Sequence, residues 1–373
     1  MNDEPLSDEQ GVDLVDRTLS DEEMEDLVEP DEAPPEVTYT TQDYPVDGLV
    51  KRLTQGSMRI AQFGVDDPAN QTAGFQRGFV WTKSQMDRFI ESLLLGYPVP
   101  GIFLVKQSNN VLLVLDGQQR IETLRRFYEG LHNGRVFALD NVSGQFKGRT
   151  YKSLDDASRL ALDDSFLPAT IVLTDGSNAV NDAIYKIFER LNAGGTQLTP
   201  HEIRVALYAG SLMVSIEELN SSPAWRTLFG PRSKRIRDHE LVMRVIALYL
   251  RADTYSRPLK SFLNGFSAEF RHVSNLPEGA SQLFERAATL LQQEVGVAAL
   301  RRSEGGQVNS AQAEAVMVGL MRQLAAGDAP RELAASVHAL KHDEAFVRAT
   351  TRATADNEAV RDRLRLATQA LAG

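Results

Sequence analysis

Val111 to Phe127 reads VLLVLDGQQRIETLRRF. An apolar run stops at Asp116, a short polar stretch follows, and a helical pattern then begins. The run Val111 to Leu115 is short and continuously apolar, as in a buried strand. From about Gln119 to Tyr128, the residues Ile121, Leu124, Phe127 and Tyr128 fall on one side of a helix. A strand that passes through glycine into a helix leaves backbone N–H groups at the helix start, and the helix dipole adds partial positive charge there. Such a mouth favours an anion. Gly117 lets the main chain approach closely because it has no side chain. Gln118 and Gln119 can donate amide hydrogens, and Arg120 can grip a phosphate through two parallel bonds. Asp116 repels a bare phosphate, but it can hold a magnesium ion, orient a water, or accept from a ribose hydroxyl or a base. A nucleotide engages all five residues together, whereas a free phosphate leaves Asp116 unexplained. The plainer alternative makes Asp116 the N-cap of the helix and Arg120 a surface residue.

A second stretch points to the same place. In GFQRGFVW, Gly74 to Trp81, Gln76 and Arg77 sit between apolar residues just before a helix start. A charged Arg in such surroundings must find a partner or reach solvent. Either it pairs with an internal carboxylate, or it is a second phosphate ligand facing Arg120. Thr82 and Gln85 have capping-box spacing, and Met86, Phe89, Ile90, Leu93 and Leu94 then follow a helical period. Gly96 stops that helix, and Pro98 and Pro100 forbid its continuation. Ile102 to Val105 and Val111 to Leu115 read as two strands of a hairpin around Asn109-Asn110. Ala169 to Leu173 reads as a further strand. From Asn181 the pattern is helical, with Ile184, Ile187, Phe188 and Leu191 on one face. Gly194-Gly195 breaks it, and Thr199-Pro200-His201-Glu202 restarts it with an N-cap, a first-turn proline and a reciprocal Glu. The remainder reads as a helical bundle, with loops at Gly305-Gly306 and Gly327-Asp328. These boundaries give an acidic tail over residues 1–43, an α+β domain over 44–180 and an α-helical domain over 181–373.

Composition narrows the function classes. A chain of 373 residues, 42% hydrophobic and 24% charged, has room for about two globular domains. Without cysteine it can form no disulfide, thiolate metal site or cysteine nucleophile. No apolar run is long enough to cross a bilayer and no basic-then-apolar leader is visible, so a cytoplasmic place is expected. The net charge of −11 is unevenly spread. Residues 1–36 hold fifteen acids and one Arg, a local balance of −14, which leaves the remainder near +3. A mildly basic body tolerates a phosphate-bearing partner. The acidic segment reads as a solvated tail. Its Ser20–Glu23 capping spacing, with Met24, Leu27 and Val28, also allows a short amphipathic docking helix.

Taken together, FQRGFVW, LLLGYPVPGIFL, LDGQQRIETLRRFYEG, FERLNAGGTQLTPHEIRVALYAG and the looser RIRDHELVMRVIAL resemble the N-terminal domain of GmrSD-type restriction systems. That is a family of bacterial DGQQR-motif proteins related to the ParB/sulfiredoxin fold. The resemblance implies an α+β domain of that fold followed by an α-helical domain. It also implies a nucleotide-binding, NTP-hydrolysing module that controls a nuclease in anti-phage defence. Carried over by position, Asp116, Gly117, Gln118, Gln119 and Arg120 form the nucleotide site, with Gln76 and Arg77 beside it. Phe188, Arg190, Asn192 and Glu202 match a segment that closes over it, although Glu202 already has a sufficient role as the reciprocal cap. Asp116, Gln119 and Arg120 are then the catalytic candidates: Arg120, with Arg77 and a magnesium ion, stabilises phosphoryl charge, and Asp116 or a glutamine orients water.

Many relatives carry an HNH-type nuclease domain after this module. Here the six histidines are scattered, and no His pair with a nearby Asn forms a metal-nuclease cluster. The nuclease is therefore expected to be a separate protein or to have been lost. Two alternatives remain open. One is a ParB-like DNA-binding module switched by nucleotide, whose basic run PRSKRIR offers Arg232, Lys234, Arg235 and Arg237. The other is an antitoxin-like or scaffolding partner of a separate nuclease that docks through the acidic tail.

Overall fold

The computed structural model describes residues 37–60, 79, 81–107, 110–174, 178–191, 199–233, 235–303, 305–328 and 330–372, with the backbone alone at 178, 179, 182 and 188–191. They fall into two compact units. One comprises residues 37–60 and 79–191 and is built on a sheet. The other, 199–372, is helical. The fold class is therefore mixed α and β, with an N-terminal sheet and a C-terminal helical region.

The sheet unit runs β1 (Tyr39–Pro45), α1 (Val46–Thr54), β2 (Met58–Ile60), α2 (Lys83–Leu94), β3 (Ile102–Lys106), β4 (Leu112–Asp116), α3 (Gln118–Glu129), the short pair β5 (Leu131–His132) and β6 (Arg135–Val136), α4 (Asp156–Asp163), β7 (Phe166–Leu173) and α5 (Asn178–Leu191). Five strands pair in the order β1-β7-β3-β4-β2. β3 and β4 form the antiparallel hairpin read from the sequence, with a register shift between Phe103 and Leu104. β7 lies parallel to β3, and β2 parallel to β4. β3 and β4 are buried at four successive positions each, which requires cover on both faces of the sheet. Because successive side chains alternate, Leu104, Val114 and Ile171 point to one face. There they share a core with Leu49, Met86, Ile90, Ile121, Leu124 and Phe127 of α1, α2 and α3. On the other side α5 packs against β4. The Thr82–Gln85 capping box that opens α2 is present.

The helical unit contains α6 (Pro200–Leu207), α7 (Ser211–Asn220), α8 (Pro223–Phe229), α9 (Arg237–Arg251), α10 (Leu259–Glu269), α11 (Ala280–Glu294), α12 (Ser310–Ala326), α13 (Leu333–His342), α14 (Glu344–Ala349) and α15 (Asn357–Ala370). From Ala311 to Met321 every residue of α12 is buried, so this helix is the axis of the unit. α9, α11 and α15 pack around it. Gly319 permits the closest approach: a Cβ there would meet the backbone of Ala367 at 2.9 Å. Inside, Glu314 is buried between Arg244, at 2.9 Å, and Arg363, so one carboxylate ties α12 to α9 and α15.

A second buried polar chain fixes α6. Arg204 donates to Nδ1 of His201 at 3.0 Å, and Nε2 of His201 lies 2.8 Å from Nδ1 of His239. His239 in turn bonds the backbone of Met213. Because Arg204 can only donate, Nδ1 of His201 must accept, and each later tautomer follows from the one before. The two imidazoles are thereby held neutral. Burial lowers both pKa values, that of His201 well below the ordinary value, with neighbouring Arg204 and Arg244 acting in the same direction on His201. Among the described residues, no helix is long and apolar enough to cross a membrane.

Candidate functional site

The junction between β4 and α3 has the geometry that the residue types suggest. Asp116 is the last residue of β4, and Gly117 is the N-cap of α3, with φ 91° and ψ 11°. This left-handed conformation is strained for any residue with a Cβ. Space forbids a side chain as well, since a Cβ on Gly117 would lie 2.5 Å from Cγ2 of Ile102. No side chain caps α3. Asp116 is therefore not the N-cap that the plainer sequence reading allowed. Its carboxylate turns instead to Arg120, with Oδ2 2.8 Å from Nη2.

Arg120 makes a second bond, from Nη1 to the carbonyl of Pro100 at 3.2 Å. Its side chain is 12% exposed, whereas that of Asp116 is 50% exposed. The guanidinium therefore lies along the mouth of the turn, held between a strand-end carboxylate and the loop that leads into β3. Gln118 is the first residue of α3, and its amide comes only to the limit of hydrogen bonding with the carbonyl of Val114, at 3.5 Å.

Gln119 also makes a structural bond. Its Oε1 accepts the backbone N–H of Trp81 at 3.1 Å and so fastens the chain just before α2 to the first turn of α3. Two helical turns further on, Arg126 lies over the ring of Phe79 at 4.0 Å and bonds both Glu122 (2.7 Å) and Nδ1 of His132 (2.8 Å). Arg125 also binds Glu122, at 2.6 Å. Burial raises the pKa of Glu122, but the bonds from Arg125 and Arg126 outweigh it and leave the group below its ordinary value. Burial, then the charges of Arg126 and Lys83, lower the pKa of His132. α3 is thus pinned along its length by fixed charges, and its N-terminal turn is rigidly placed.

The structure brings Asp116, Gly117, Gln118, Gln119 and Arg120 together at one turn. Gln76, Arg77, Asn192 and Lys234 lie outside the described residues, as do the side chains of Phe188 and Arg190. Glu202 belongs to the helical unit, where it completes the capping box of Thr199 and lies 3.3 Å from Arg235. Among the described residues of the basic run around residue 235, each arginine differs in exposure, and Arg232 is the exposed one. Arg235 is 6% exposed against Glu202, and Arg232 is bound to Glu217 (2.5 Å) and Ser221 (2.7 Å). Arg237 is half-buried at the start of α9.

Sequence reading missed the supports. Asp87 is fully buried and accepts from the backbone of Asp140 (3.2 Å) and Asn141 (3.0 Å), from the Asn141 amide (2.8 Å) and from Lys83. One signal was available: Asp87 lies beside Met86 and Ile90 on the apolar face of its helix, where an acid needs a partner.

Comparison with known proteins adds one finding. No curated protein and no solved structure matches the chain. Residues 60–209, which contain the β4–α3 turn and its supports, match the family described as GmrSD restriction endonuclease, N-terminal domain, and over that span this chain resembles that family.

Proposed function

We propose that this chain is a nucleotide-binding regulatory module of a bacterial restriction-type defence system, with the β4–α3 turn as its triphosphate site. One observation carries the reading. A left-handed glycine opens a helix that no side chain caps, and Arg120 lies along the opening. Backbone N–H groups, a helix dipole and a guanidinium then converge where an anion would sit. The family match spans the same residues. A ParB/sulfiredoxin-like fold for the sheet unit belongs to the same proposal.

In this reading Arg120 exchanges Asp116 for a phosphate oxygen, and the amide of Gln118 adds a donor. Gln119 acts as a positioning residue, because its carbonyl oxygen already holds Trp81. Magnesium fits the donor set. It commonly rests on one or two carboxylates together with phosphate oxygens, and Asp116 is the half-exposed carboxylate at this turn. Among the described residues, no group of three His, Asp or Glu is arranged as a self-sufficient metal site. The ion would neutralise charge on the phosphates. The chain's own share is to hold the phosphates with Arg120 and, for hydrolysis, to orient water from Asp116. The nuclease that the module controls is a separate partner protein.

The test is binding of ATP, GTP, CTP and UTP with magnesium, together with phosphate release, for wild type, Arg120→Ala and Asp116→Asn. At least one nucleotide should bind, Arg120→Ala should weaken it at least tenfold, and Asp116→Asn should lower any phosphate release. Equal affinities and rates in all three proteins would remove the site.

A further inference from the structure

The helical unit holds a concentration of cations that its own acids do not balance. A cleft of about 520 Å³ opens where α15 meets α12 and the segment that follows α9. Arg322 reaches it from α12, and Arg361 and Arg365 reach it from successive turns of α15. Arg322 is half-buried, and among the described residues its guanidinium finds only Oγ1 of Thr368, at a long 3.4 Å. Burial lowers its pKa, as expected for a cation taken from water without a carboxylate partner. Arg361 is exposed and makes no ion pair among the described residues. Arg365 pairs at 3.2 Å with Asp362, and both side chains are half-exposed, an arrangement worth little in water. Asp253 is the single acid in the lining. Tyr255 also lines the cleft, with its hydroxyl committed to the carbonyl of Ala355 at 2.6 Å.

Three guanidiniums and a single carboxylate line one small cleft. Such a site selects a ligand with several anionic oxygens, and Arg is the residue best shaped for phosphate. The volume is that of a small-molecule site.

We propose that this cleft binds a small organic phosphate, with its phosphate on Arg322, Arg361 and Arg365 and its organic part against Tyr255. The site lies wholly within residues 252–369 and does not depend on the β4–α3 turn.

Titration calorimetry tests it on the full chain in an Arg120→Ala background, which removes the guanidinium of the turn. The probes are pyrophosphate, AMP and a 20-nucleotide single-stranded DNA. Pyrophosphate or AMP should bind one to one, more weakly as salt rises. Affinity should fall about tenfold in Arg322→Gln and again in the double variant Arg361→Gln/Arg365→Gln. The double variant alters exposed side chains only, so it decides the matter even if Arg322→Gln fails to fold. Absence of saturable binding of both small probes overturns the proposal, as does equal affinity in the double variant. Binding of the DNA alone, lost in the double variant, also overturns it, in favour of a nucleic-acid surface.

Discussion

Acid should destabilise the helical unit, beginning near pH 6.5, through the buried Arg204–His201–His239 chain. Arg204 donates to His201, so His201 can hold a proton on Nε2 only, and that proton faces Nδ1 of His239. Protonating either acceptor nitrogen would set two donors against each other inside a core with a guanidinium alongside. Both folded-state pKa values are accordingly lowered, chiefly by burial. The nearby acids Glu217 and Asp238 oppose this at His239 without reversing it. In the unfolded chain both imidazoles titrate near 6.5. Below that pH the unfolded state takes up protons that the folded state refuses, so stability falls as pH falls. The loss continues until pH reaches the folded-state values. At pH 5.5 each group that stays neutral when folded contributes a loss of about 1.4 kcal/mol relative to pH 7.5. The pair together should lose about 2–3 kcal/mol, since His239 is the less shifted of the two. For a unit of this size that lowers the melting temperature by roughly 5–10 °C.

Urea unfolding at pH 7.5 and 5.5 in a Trp81→Phe background reads the effect, followed by the fluorescence of Trp225, which is fully buried in this unit. The control is the double variant His201→Gln/His239→Gln. It can be less stable at both values of pH, but it has lost the titrating groups, so its difference between the two should shrink by about 2–3 kcal/mol. If wild type and double variant lose the same stability between pH 7.5 and 5.5, the buried chain is not the source of the acid sensitivity, and the tautomer argument is wrong.

Three further outcomes follow from particular contacts. Gly117→Ala should cost roughly 2–4 kcal/mol in urea unfolding, because a left-handed backbone and a contact with Ile102 oppose the new methyl together; a loss below about 0.5 kcal/mol would mean that the turn is not held as described. Glu314→Gln should destabilise the helical unit by about 3–5 kcal/mol, since two arginines lose their shared buried carboxylate, and a neutral result would show that the arginines reach other acceptors. Asp87→Asn should speed amide exchange at Asp140 and Asn141 about tenfold or more, because the carboxylate accepts from both backbone N–H groups; unchanged protection at those two amides would assign their order to something else.

How much could be read in advance follows from where each signal lies along the chain. The hairpin, α2, α3 and the two capping boxes were legible because their information is local: apolar period, cap residue and breaker lie within a dozen positions. β1 was not. Tyr39–Pro45 is exposed at five successive positions, so it lacks the alternation that marks a half-buried strand, and it is ordered through antiparallel pairing with β7, more than 120 residues away. The candidate turn was legible in its residue types, yet the roles inside it were not. Sequence alone offered Asp116 as a cap and Gln119 as a ligand donor. The positive φ of Gly117 moved the cap by one residue, and the long-range bond from Trp81 gave the Gln119 amide oxygen a second, structural task beside any donation from its nitrogen. Asp87, Glu314 and the histidine chain depend on contacts between distant segments, and no local pattern carries those.

The pairing of Asp116 with Arg120 bears on how the turn could work as a switch. The pair is an i, i+4 contact with one half-exposed partner, a class worth about 0.3–0.5 kcal/mol. Breaking it is therefore cheap beside what a phosphate gains from a guanidinium and the start of a helix. Asp116 nevertheless keeps the guanidinium along the mouth, so little ordering remains to be done on binding. It also sets a charge requirement. A monoanion must displace a carboxylate of equal charge, whereas a magnesium-bound triphosphate brings a cation for Asp116 and several anionic oxygens for Arg120. Under the proposed function, the same acid that makes the turn a poor site for free phosphate makes it selective for the metal-bound nucleotide. Asp116→Asn should accordingly tighten inorganic phosphate while weakening the magnesium nucleotide. If both affinities move in the same direction, this account of Asp116 fails even where nucleotide binding itself is found.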